Sequence, residues 1–435
     1  MRNFKKIVLM VAVLLGMELL AEFLLVPVTY QRSLDRELEA LEKQGTSPNV
    51  VILGDSTVVY GLAPLRMEEA MGTDVCVVNA GTSSQTVWGS YYYLKDLRRE
   101  YPEIKYVVLG VDYWAYADIE KSIKKELLVL DRVKNPFIKG EYVLEIFRPE
   151  EYPYLLKSYA FRNGIANIGE NVKEKLLPQK TQFVTRGHRS IGPGMGEERV
   201  GMQQIGQFDM ESINPRAVQY LDRIYEFCKK ENIKLYLVSM PLTSTAVYES
   251  ASYEAFWQYF REYADRKQVT FWDMNILKDR YEVIPDGMMA DIGHAGDPGY
   301  VNISRKLGEL LKTDMEGESV EEEFYPSVQA WENSQTGIIG CDFYTEAVDG
   351  TKNRRIQAES LQSEGVIPEY EFWISVGGED NWVKMQEYGK GDSCVIPGYY
   401  FEKDVWMKIC CRKKGSAVLY EKSCVKMREA AMGNE

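Results

Sequence analysis

The chain has 435 residues, of which 45% are apolar and 27% charged, a balance typical of globular rather than disordered proteins. Its length predicts two folded domains rather than one. The formal net charge of −13 argues against nucleic-acid binding, because contact with phosphates needs a basic surface. Anionic lipid would also repel an acidic surface, so membrane attachment would need a hydrophobic segment.

The first thirty residues contain such a segment. Two lysines precede an apolar run from Ile7 to Val28, which only Glu18 and Glu22 interrupt. About 20 residues of helix cross the hydrocarbon core, and lysines before the span favour a cytoplasmic N-terminus. We predict a single-pass anchor in the cell membrane over 1–30, with the bulk of the chain outside it. A cleaved signal peptide is the alternative, and both would export the chain.

The two glutamates of the anchor are four residues apart and share one helix face. Carboxylates at membrane depth are costly and usually face a partner helix or water. We therefore predict either that Glu18 and Glu22 dock an integral membrane partner or that both lie near the outer interface, solvated by water.

Continuous apolar runs alternate with amphipathic stretches after a charged stalk, which is predicted over 31–48. Runs of this kind are typical of strands buried on both faces of a parallel sheet. They are NVVILG (49–54), DVCVVN (74–79), IKYVVLGV (104–111), IKLYLVSM (233–240) and VTFWDM (269–274). The alternation predicts an α/β domain over 49–312.

The third and fourth predicted strands are too far apart in sequence for a simple crossover, which predicts an insertion over 115–213. Its glycine-rich part, 178–210, is predicted to be a long loop over the site. An acidic linker is predicted over 313–325, and a β-sandwich over 326–425, where alternating strands are separated by glycine turns. The aromatic residues of this module are predicted to form either a glycan-binding platform or the sandwich core: Trp373, Trp382, Tyr399, Tyr400 and Trp406.

The sequence predicts neither a metal nor a cofactor. It has no metal-binding histidine motif and no phosphate-binding glycine loop with a lysine. The seven cysteines have no C-x-x-C spacing, so they are predicted to be small buried thiols or, if exported, partners in one or two disulfides.

Two histidines, His188 and His294, are the only candidates for an imidazole base. His294 ends the segment Asp291-Ile292-Gly293-His294, and this spacing lets the carboxylate of Asp291 approach the imidazole and fix its tautomer. His188 has no carboxylate close in sequence and is predicted to be a surface residue of a loop. We therefore predict that His294 is the general base and that Asp291 orients it.

Ser56 follows the first predicted strand, in Gly54-Asp55-Ser56, and so lies at the edge of the sheet where α/β proteins bind ligands. Gly54 permits a sharp turn into the next helix, whose start offers unpaired N–H groups to an oxyanion. Ser56 is the predicted nucleophile.

Two further segments end at the same edge, one containing Gly81 after the second strand and the other Asp112 after the third. The set resembles the SGNH (GDSL-type) hydrolase superfamily. This resemblance implies a flavodoxin-like three-layer α/β/α fold over 49–312, with Ser56 as nucleophile, Gly81 as an oxyanion donor, and His294 and Asp291 completing the triad.

The chain departs from the superfamily at Asp112, which stands where an asparagine usually donates to the oxyanion. An ionised carboxylate cannot donate. Either the oxyanion hole uses only the N–H groups of Ser56 and Gly81, or Asp112 is protonated, or another donor replaces it. Loss of one donor typically costs about 10²- to 10³-fold in rate.

The anchor, the segment GDSTVVYGLAP and the segment DIGHAGDPGY together look like the membrane-anchored DltD-like and alginate O-acetylation (AlgJ/AlgX-like) branch of this superfamily. The C-terminal module resembles the triple-tyrosine Ig-like domain. This implies an esterase or acyltransferase of O-acetyl or D-alanyl esters, with a polysaccharide or teichoic-acid-like acceptor and a membrane-bound O-acyltransferase as partner. The alternative is a non-catalytic scaffold that binds surface polysaccharide or protein.

Overall fold

The computed structural model of the chain describes residues 2–27, 33–72, 74–116, 122–176, 185–203, 205–206 and 213–428. The predicted anchor forms a single helix, α1 (Arg2–Leu25). Its segment Phe4–Leu25 is long and apolar enough to cross a membrane, and by length and composition it also fits a signal sequence.

The predicted stalk is the helix α2 (Ser33–Lys43), and it does not project freely from the domain. Leu34, Leu38 and Leu41 recur at helical spacing, and all three are buried in the core of the α/β domain. The segment is therefore packed against that domain, because its apolar stripe needs a partner surface.

A five-stranded parallel sheet forms the centre of the α/β domain, as predicted. Its strands are β1 (Val50–Leu53), β2 (Val77–Asn79), β3 (Tyr106–Gly110), β4 (Lys234–Ser239) and β5 (Thr270–Asp273). They lie in the order β2-β1-β3-β4-β5, which is the flavodoxin-like order. The carboxyl ends of β1, β2 and β3 are therefore neighbours.

Helices cover both faces of this sheet. Successive residues of β1 point to opposite sides, so Val51 lies in one hydrophobic core and Val50 in another. In chain order, the helices that follow α2 are α3 (Ser56–Gly61), α4 (Pro64–Met71), α5 (Val87–Glu100), α6 (Tyr113–Tyr116), α7 (Ile123–Arg132), α8 (Pro136–Ile146), α9 (Lys157–Ala160), α10 (Ile168–Leu176), α11 (Pro215–Lys230), α12 (Ser244–Val247), α13 (Ala251–Lys267), α14 (Arg280–Val283), α15 (Gly299–Met315) and α16 (Val328–Ser334). The helices α5, α11 and α13 cover the Val51 side, and α3, α4 and α15 cover the Val50 side, which gives three layers.

The insertion between β3 and β4 contains α6 to α10, and its helices α9 and α10 contact the end of α1. The Ser158 N–H donates to the carboxylate of Glu18 at 3.1 Å, and the Ser158 hydroxyl donates to it as well. Asn171 and Lys175 donate to the last carbonyl oxygens of α1, over 2.7–3.2 Å. Glu18 is thus bound by the chain's own insertion. The sequence had predicted either a membrane partner or water as its contact.

The glycine-rich part of the insertion runs along the end of β2 and the helix α3. The Asn79 N–H donates to the Arg186 carbonyl at 2.8 Å, and the Arg189 N–H donates to the Val59 carbonyl at 3.0 Å. Further along, Glu198 forms an ion pair of 2.5 Å with Lys408 of the C-terminal module. This segment therefore links the edge of the sheet to that module. Positions 178–184, 204 and 207–210 of the predicted glycine-rich loop lie outside the described residues.

The C-terminal module consists of two antiparallel sheets. Its strands are β6 (Ile338–Ala347), β7 (Arg354–Gln362), β8 (Pro368–Val376), β9 (Val383–Gln386), β10 (Ser393–Ile396), β11 (Val405–Lys413) and β12 (Lys422–Arg428). The sheets β10-β7-β6 and β12-β11-β8-β9 enclose one core that includes Phe343 and Phe372. The segment predicted as a linker, 313–325, is partly helical, since α15 extends to Met315 and Glu321–Glu323 form a short 3-10 helix. The helix α16 precedes the first strand, within the segment predicted as the β-sandwich.

The five aromatic residues singled out in the sequence do not make up this core. Of these five, Tyr400 alone packs against it, and Tyr399 is 63% exposed. The prediction that they form the sandwich core is therefore wrong for the other four. All seven cysteines are buried free thiols, in agreement with the simpler of the two predictions for them.

Candidate active site

Ser56 lies at the start of α3, immediately after β1. Gly54 has a φ of +143°, and a Cβ placed there would lie 3.0 Å from Val58 Cγ2. A Cβ on Gly110 would lie only 2.3 Å from Val58 Cγ1. The two glycines thus let α3 begin close against the ends of β1 and β3, and this close packing positions Ser56 at the edge of the sheet.

The three predicted triad residues are in hydrogen-bond contact. Ser56 Oγ lies 2.8 Å from His294 Nε2, and His294 Nδ1 lies 2.8 Å from Asp291 Oδ2 and 2.9 Å from Oδ1. A proton on Nδ1 donates to the carboxylate and leaves Nε2 free to accept from the serine hydroxyl. This is the arrangement that activates a serine for nucleophilic attack.

The loop that carries the base is held by its own backbone. Asp291 Oδ1 accepts from the N–H groups of Gly293 and His294, each at 2.9 Å. The Thr243 N–H, from the loop after β4, donates to the Ile292 carbonyl at 3.0 Å. The carboxylate is therefore fixed before any substrate binds.

The two charged members of the triad shift each other's proton affinity. The hydrogen bond to Asp291 raises the pKa of His294, which outweighs the lowering by burial, and the charges of Asp291 and Asp55 raise it further. Burial alone would raise the pKa of Asp291, but the hydrogen bonds from His294 and Gly293 outweigh it and lower that pKa. Both shifts favour a protonated imidazole beside an ionised carboxylate.

The predicted oxyanion donors differ in their availability. Ser56 is the first residue of a helix, so its N–H has no intrahelical partner. The Gly81 N–H instead donates to Asn79 Oδ1 at 3.0 Å. The Asn79 amide is itself fixed, because it donates to the Val58 and Leu62 carbonyls at 2.8 Å each. In this structure Gly81 is thus already engaged, whereas the Ser56 N–H is not bonded within its helix.

Asp112 is 4% exposed and caps the short helix α6. Its Oδ1 accepts from the N–H groups of Trp114 at 2.8 Å and Ala115 at 2.9 Å. Its Oδ2 is buried and has no hydrogen-bond partner among the residues that the structure describes. Burial raises the pKa of Asp112 well above its usual value, and the nearby charge of Asp55 raises it further. Of the three sequence-based alternatives, these observations favour a protonated Asp112.

Asp112→Asn is expected to stabilise the protein at alkaline pH. Asparagine keeps the oxygen that caps α6 and removes a buried ionisable group. Because the pKa of Asp112 is raised in the folded state, the wild type loses stability as pH rises above about 4, the pKa in the unfolded chain. We expect a gain of about 1–3 kcal/mol at pH 8 and none at pH 4, read from urea unfolding. Asp349→Asn, at an exposed turn, is the control, and an equal gain at both pH values would contradict this account.

Tyr60 and Arg132 also lie at the site, although neither was predicted from the sequence. The Tyr60 ring meets the His294 ring edge-on at 5.6 Å, and its hydroxyl lies 3.2 Å from Ser83 Oγ. Arg132 Nη1 donates to the Gly81 carbonyl at 3.2 Å. Tyr60 lies four residues after Ser56 on one helix, so helical spacing could have found it, whereas no local pattern identifies Arg132.

The second histidine is not at the surface, so that prediction is wrong. His188 is 8% exposed, its Nδ1 lies 3.2 Å from the Val59 carbonyl oxygen, and its ring lies 4.3 Å from the ring of Tyr300. It packs the glycine-rich segment onto α3. Within the described part of the chain, no group of three or more His, Cys, Asp or Glu residues could hold a metal ion.

Comparison with known proteins gives similarity at the level of solved structures. No protein family and no curated protein matches the sequence. A candidate lipolytic protein of the G-D-S-L family from Desulfitobacterium hafniense is 13% identical, with 60% of this chain and 99% of that chain covered and a TM-score of 0.30. A candidate acylhydrolase from Bacteroides fragilis is 12% identical, with coverage of 65% and 97% and a TM-score of 0.30. At this TM-score the likenesses carry no argument about activity, which rests on the geometry of the site.

Proposed function

We propose that the chain is a membrane-anchored serine esterase or acyltransferase of the SGNH type. The observation that carries this proposal is the hydrogen-bonded series from Ser56 Oγ through His294 to Asp291, with both links at 2.8 Å. A serine, an imidazole and a carboxylate in this order perform acyl transfer on several unrelated folds.

The reaction would proceed through an acyl-serine. His294 Nε2 takes the hydroxyl proton while Ser56 Oγ attacks the ester carbonyl, and the Ser56 N–H stabilises the resulting oxyanion. When the tetrahedral intermediate collapses, His294 returns the proton to the departing alcohol and the acyl group stays on Ser56. Water or a hydroxyl of an acceptor then attacks the acyl-serine, with His294 again taking the proton.

Contacts at the end of α1 support a retained anchor. Removal of α1 by cleavage would take away the hydrogen-bond acceptors of Ser158, Asn171 and Lys175. A helix built into the fold in this way is better explained as an anchor than as a discarded signal. With the cytoplasmic N-terminus that the flanking lysines favour, the site would lie outside the membrane.

The substrates we propose are acyl esters of cell-envelope polymers, with O-acetyl and D-alanyl groups as candidates. A polysaccharide or teichoic-acid-like polymer would accept the group, and a membrane-bound O-acyltransferase would be the partner. These proposals rest on the sequence resemblance, and an anchor would hold the site near such polymers.

Full-length protein in lipid nanodiscs, given p-nitrophenyl acetate and a cell-wall glycan, tests this function. We expect p-nitrophenol release that depends on Ser56 and, in the transferase case, acetylated glycan detected by mass spectrometry. Release of p-nitrophenol without acetylated glycan would identify an esterase rather than a transferase. No Ser56-dependent release would contradict the proposal.

A non-catalytic scaffold is the second candidate. The engaged Gly81 N–H favours it, because it leaves the oxyanion with fewer donors. Retained glycan binding by a protein that shows no ester turnover would support the scaffold.

A further inference from the structure

The insertion carries the most exposed apolar side chains of the α/β domain. Outside α1, five large apolar side chains of this domain are more than half exposed among the residues that the structure describes. All five lie between positions 137 and 176: Phe137, Leu144, Leu156, Ile165 and Leu176. Several exposed apolar side chains in one part of a protein are typical of an interaction surface. The last three lie in or next to the helices that contact α1.

The contact between Ser158 and Glu18 places one of these side chains at membrane depth. The Ser158 N–H donates to the Glu18 carboxylate at 3.1 Å. Glu18 precedes Leu25, the last residue of the apolar span, by seven residues, which is about 10 Å of helix at 1.5 Å per residue. The span has 22 residues, barely more than the hydrocarbon core requires. When it crosses the membrane, Ser158 and the nearby Leu156 therefore lie within the outer leaflet.

Two further contacts hold the other apolar side chains beside the end of α1. A Cβ on Gly164 would lie 3.2 Å from the Leu25 carbonyl oxygen, and the next residue is Ile165. Lys175 Nζ donates to two carbonyl oxygens of α1 at 2.7 and 3.0 Å, and the next residue is Leu176. The insertion is thus fixed against the last turns of α1, so Ile165 and Leu176 lie near the level of the outer membrane interface.

The segment between 152 and 169 has a charge that suits a lipid surface. It contains Lys157 and Arg162 but no aspartate or glutamate, whereas the whole chain has a net charge of −13. Lys157 pairs with an aspartate of α7, and the Arg162 guanidinium lies 4.0 Å from the centre of the exposed Tyr159 ring. Tyrosines and long basic side chains are typical of the interface between lipid and water, where their polar ends stay hydrated. The segment therefore lacks the acidic surface that anionic lipid would repel.

We propose that the segment 152–176 is a second membrane-binding surface, inserted beside α1 into the outer leaflet through Leu156, Ile165 and Leu176. The partner is a lipid bilayer, because these side chains lie next to a span whose own apolar side chains are exposed. Acyl chains remove the three side chains from water, which is the driving force for insertion of this kind.

This inference rests on the membrane anchor of the proposed function and goes beyond it. A single helix would let the α/β domain turn about one attachment point, whereas a second attachment fixes the orientation of the domain to the membrane surface. The edge of the sheet that carries Ser56 then keeps a constant direction relative to the lipid.

Site-specific photocrosslinking of full-length protein in phosphatidylcholine liposomes tests this surface. The photoreactive residue p-benzoylphenylalanine replaces Leu156 or Ile165 in two variants. Two control variants carry it at Ile367 or Leu419 in the C-terminal module, which are 61% and 79% exposed. A fifth variant carries it at Leu14 in α1 and reports whether the anchor lies in lipid. All five positions are exposed, so the larger side chain needs no repacking.

After irradiation, lipid adducts are located by peptide mass spectrometry. We expect adducts at positions 14, 156 and 165 and none at 367 or 419. Adducts at position 14 alone would overturn the surface while the anchor stands, and adducts at all five positions would overturn it too, since exposure alone would then suffice. No adduct at any position would overturn both the anchor and the surface. Because crosslinking needs no ester turnover, failure of the proposed catalytic activity would leave this result unchanged.

A membrane protein is the alternative occupant of this surface. Irradiation of cell membranes that contain the same variants separates the two partners. Lipid adducts at positions 156 and 165, in liposomes and in cell membranes alike, would support the proposal. Crosslinks to a protein in cell membranes, with no lipid adduct in liposomes, would overturn it in favour of that protein.

Discussion

His294→Ala is expected to lower kcat/KM for ester hydrolysis by about 10⁴-fold or more, and Ser56→Ala by a similar factor. The imidazole Nε2 is the group at hydrogen-bond distance from the serine hydroxyl, so its removal leaves Ser56 protonated and weakly nucleophilic. Because the two residues act as one unit, the double variant should be no slower than either single variant. Initial rates with p-nitrophenyl acetate measure all three.

His188, the other histidine of the chain, provides a control substitution of the same residue type. His188→Gln should remain within about 10-fold of the wild type, because His188 packs the glycine-rich segment and contacts no member of the triad among the described residues. Circular dichroism of each variant verifies that the fold is intact. A folded His294→Ala protein with wild-type activity would show that the imidazole is not the base.

Asp291→Asn is expected to lower kcat by about 10³- to 10⁴-fold while leaving the fold intact. Asparagine can still accept from the N–H groups of Gly293 and His294, but its amide favours the wrong tautomer of the imidazole and no longer stabilises its charged form. Asp297→Asn, on the same loop, is the control and should retain most of the activity.

The pH dependence of kcat/KM tests the role of Asp291 a second time, independently of the rate itself. The base must be neutral to act, and Asp291 raises the pKa of His294, so wild-type kcat/KM should rise with pH through a midpoint above 6.5. Without the carboxylate that pKa falls, and the residual activity of the variant should extend to lower pH. An unchanged midpoint would contradict the role assigned to Asp291.

The sequence was sufficient to predict that Ser56, His294 and Asp291 come together, because each lies in a short segment at the edge of a parallel sheet. Ser56 follows a buried run, and the spacing of Asp291 and His294 fits a tight turn. The topology of a parallel sheet then places such segments together, even though Ser56 and His294 are far apart in the chain. The parallel sheet could also be predicted, because its five strands are continuous apolar runs in the sequence.

Features that depend on tertiary contacts could not be predicted in this way. Nothing local in the sequence indicates that Asn79 Oδ1 accepts from the Gly81 N–H, or that Arg132 donates to the Gly81 carbonyl. His188 was placed at the surface because its neighbours are polar and glycine-rich, but packing against Tyr300 buries it. The packing of α2 is a tertiary feature too, since a charged helix of three turns buries its leucine stripe when a core is available.

Covalent labelling of Ser56 by a fluorophosphonate probe, located by peptide mass spectrometry on the full-length protein, tests the central claim most directly. An activated serine attacks the phosphorus and keeps the adduct, whereas ordinary serine hydroxyls do not react. We expect one labelled peptide, which contains Ser56, and no labelling at Ser56 in His294→Ala. A protein that stays unlabelled at Ser56, or is labelled equally well without His294, would contradict it.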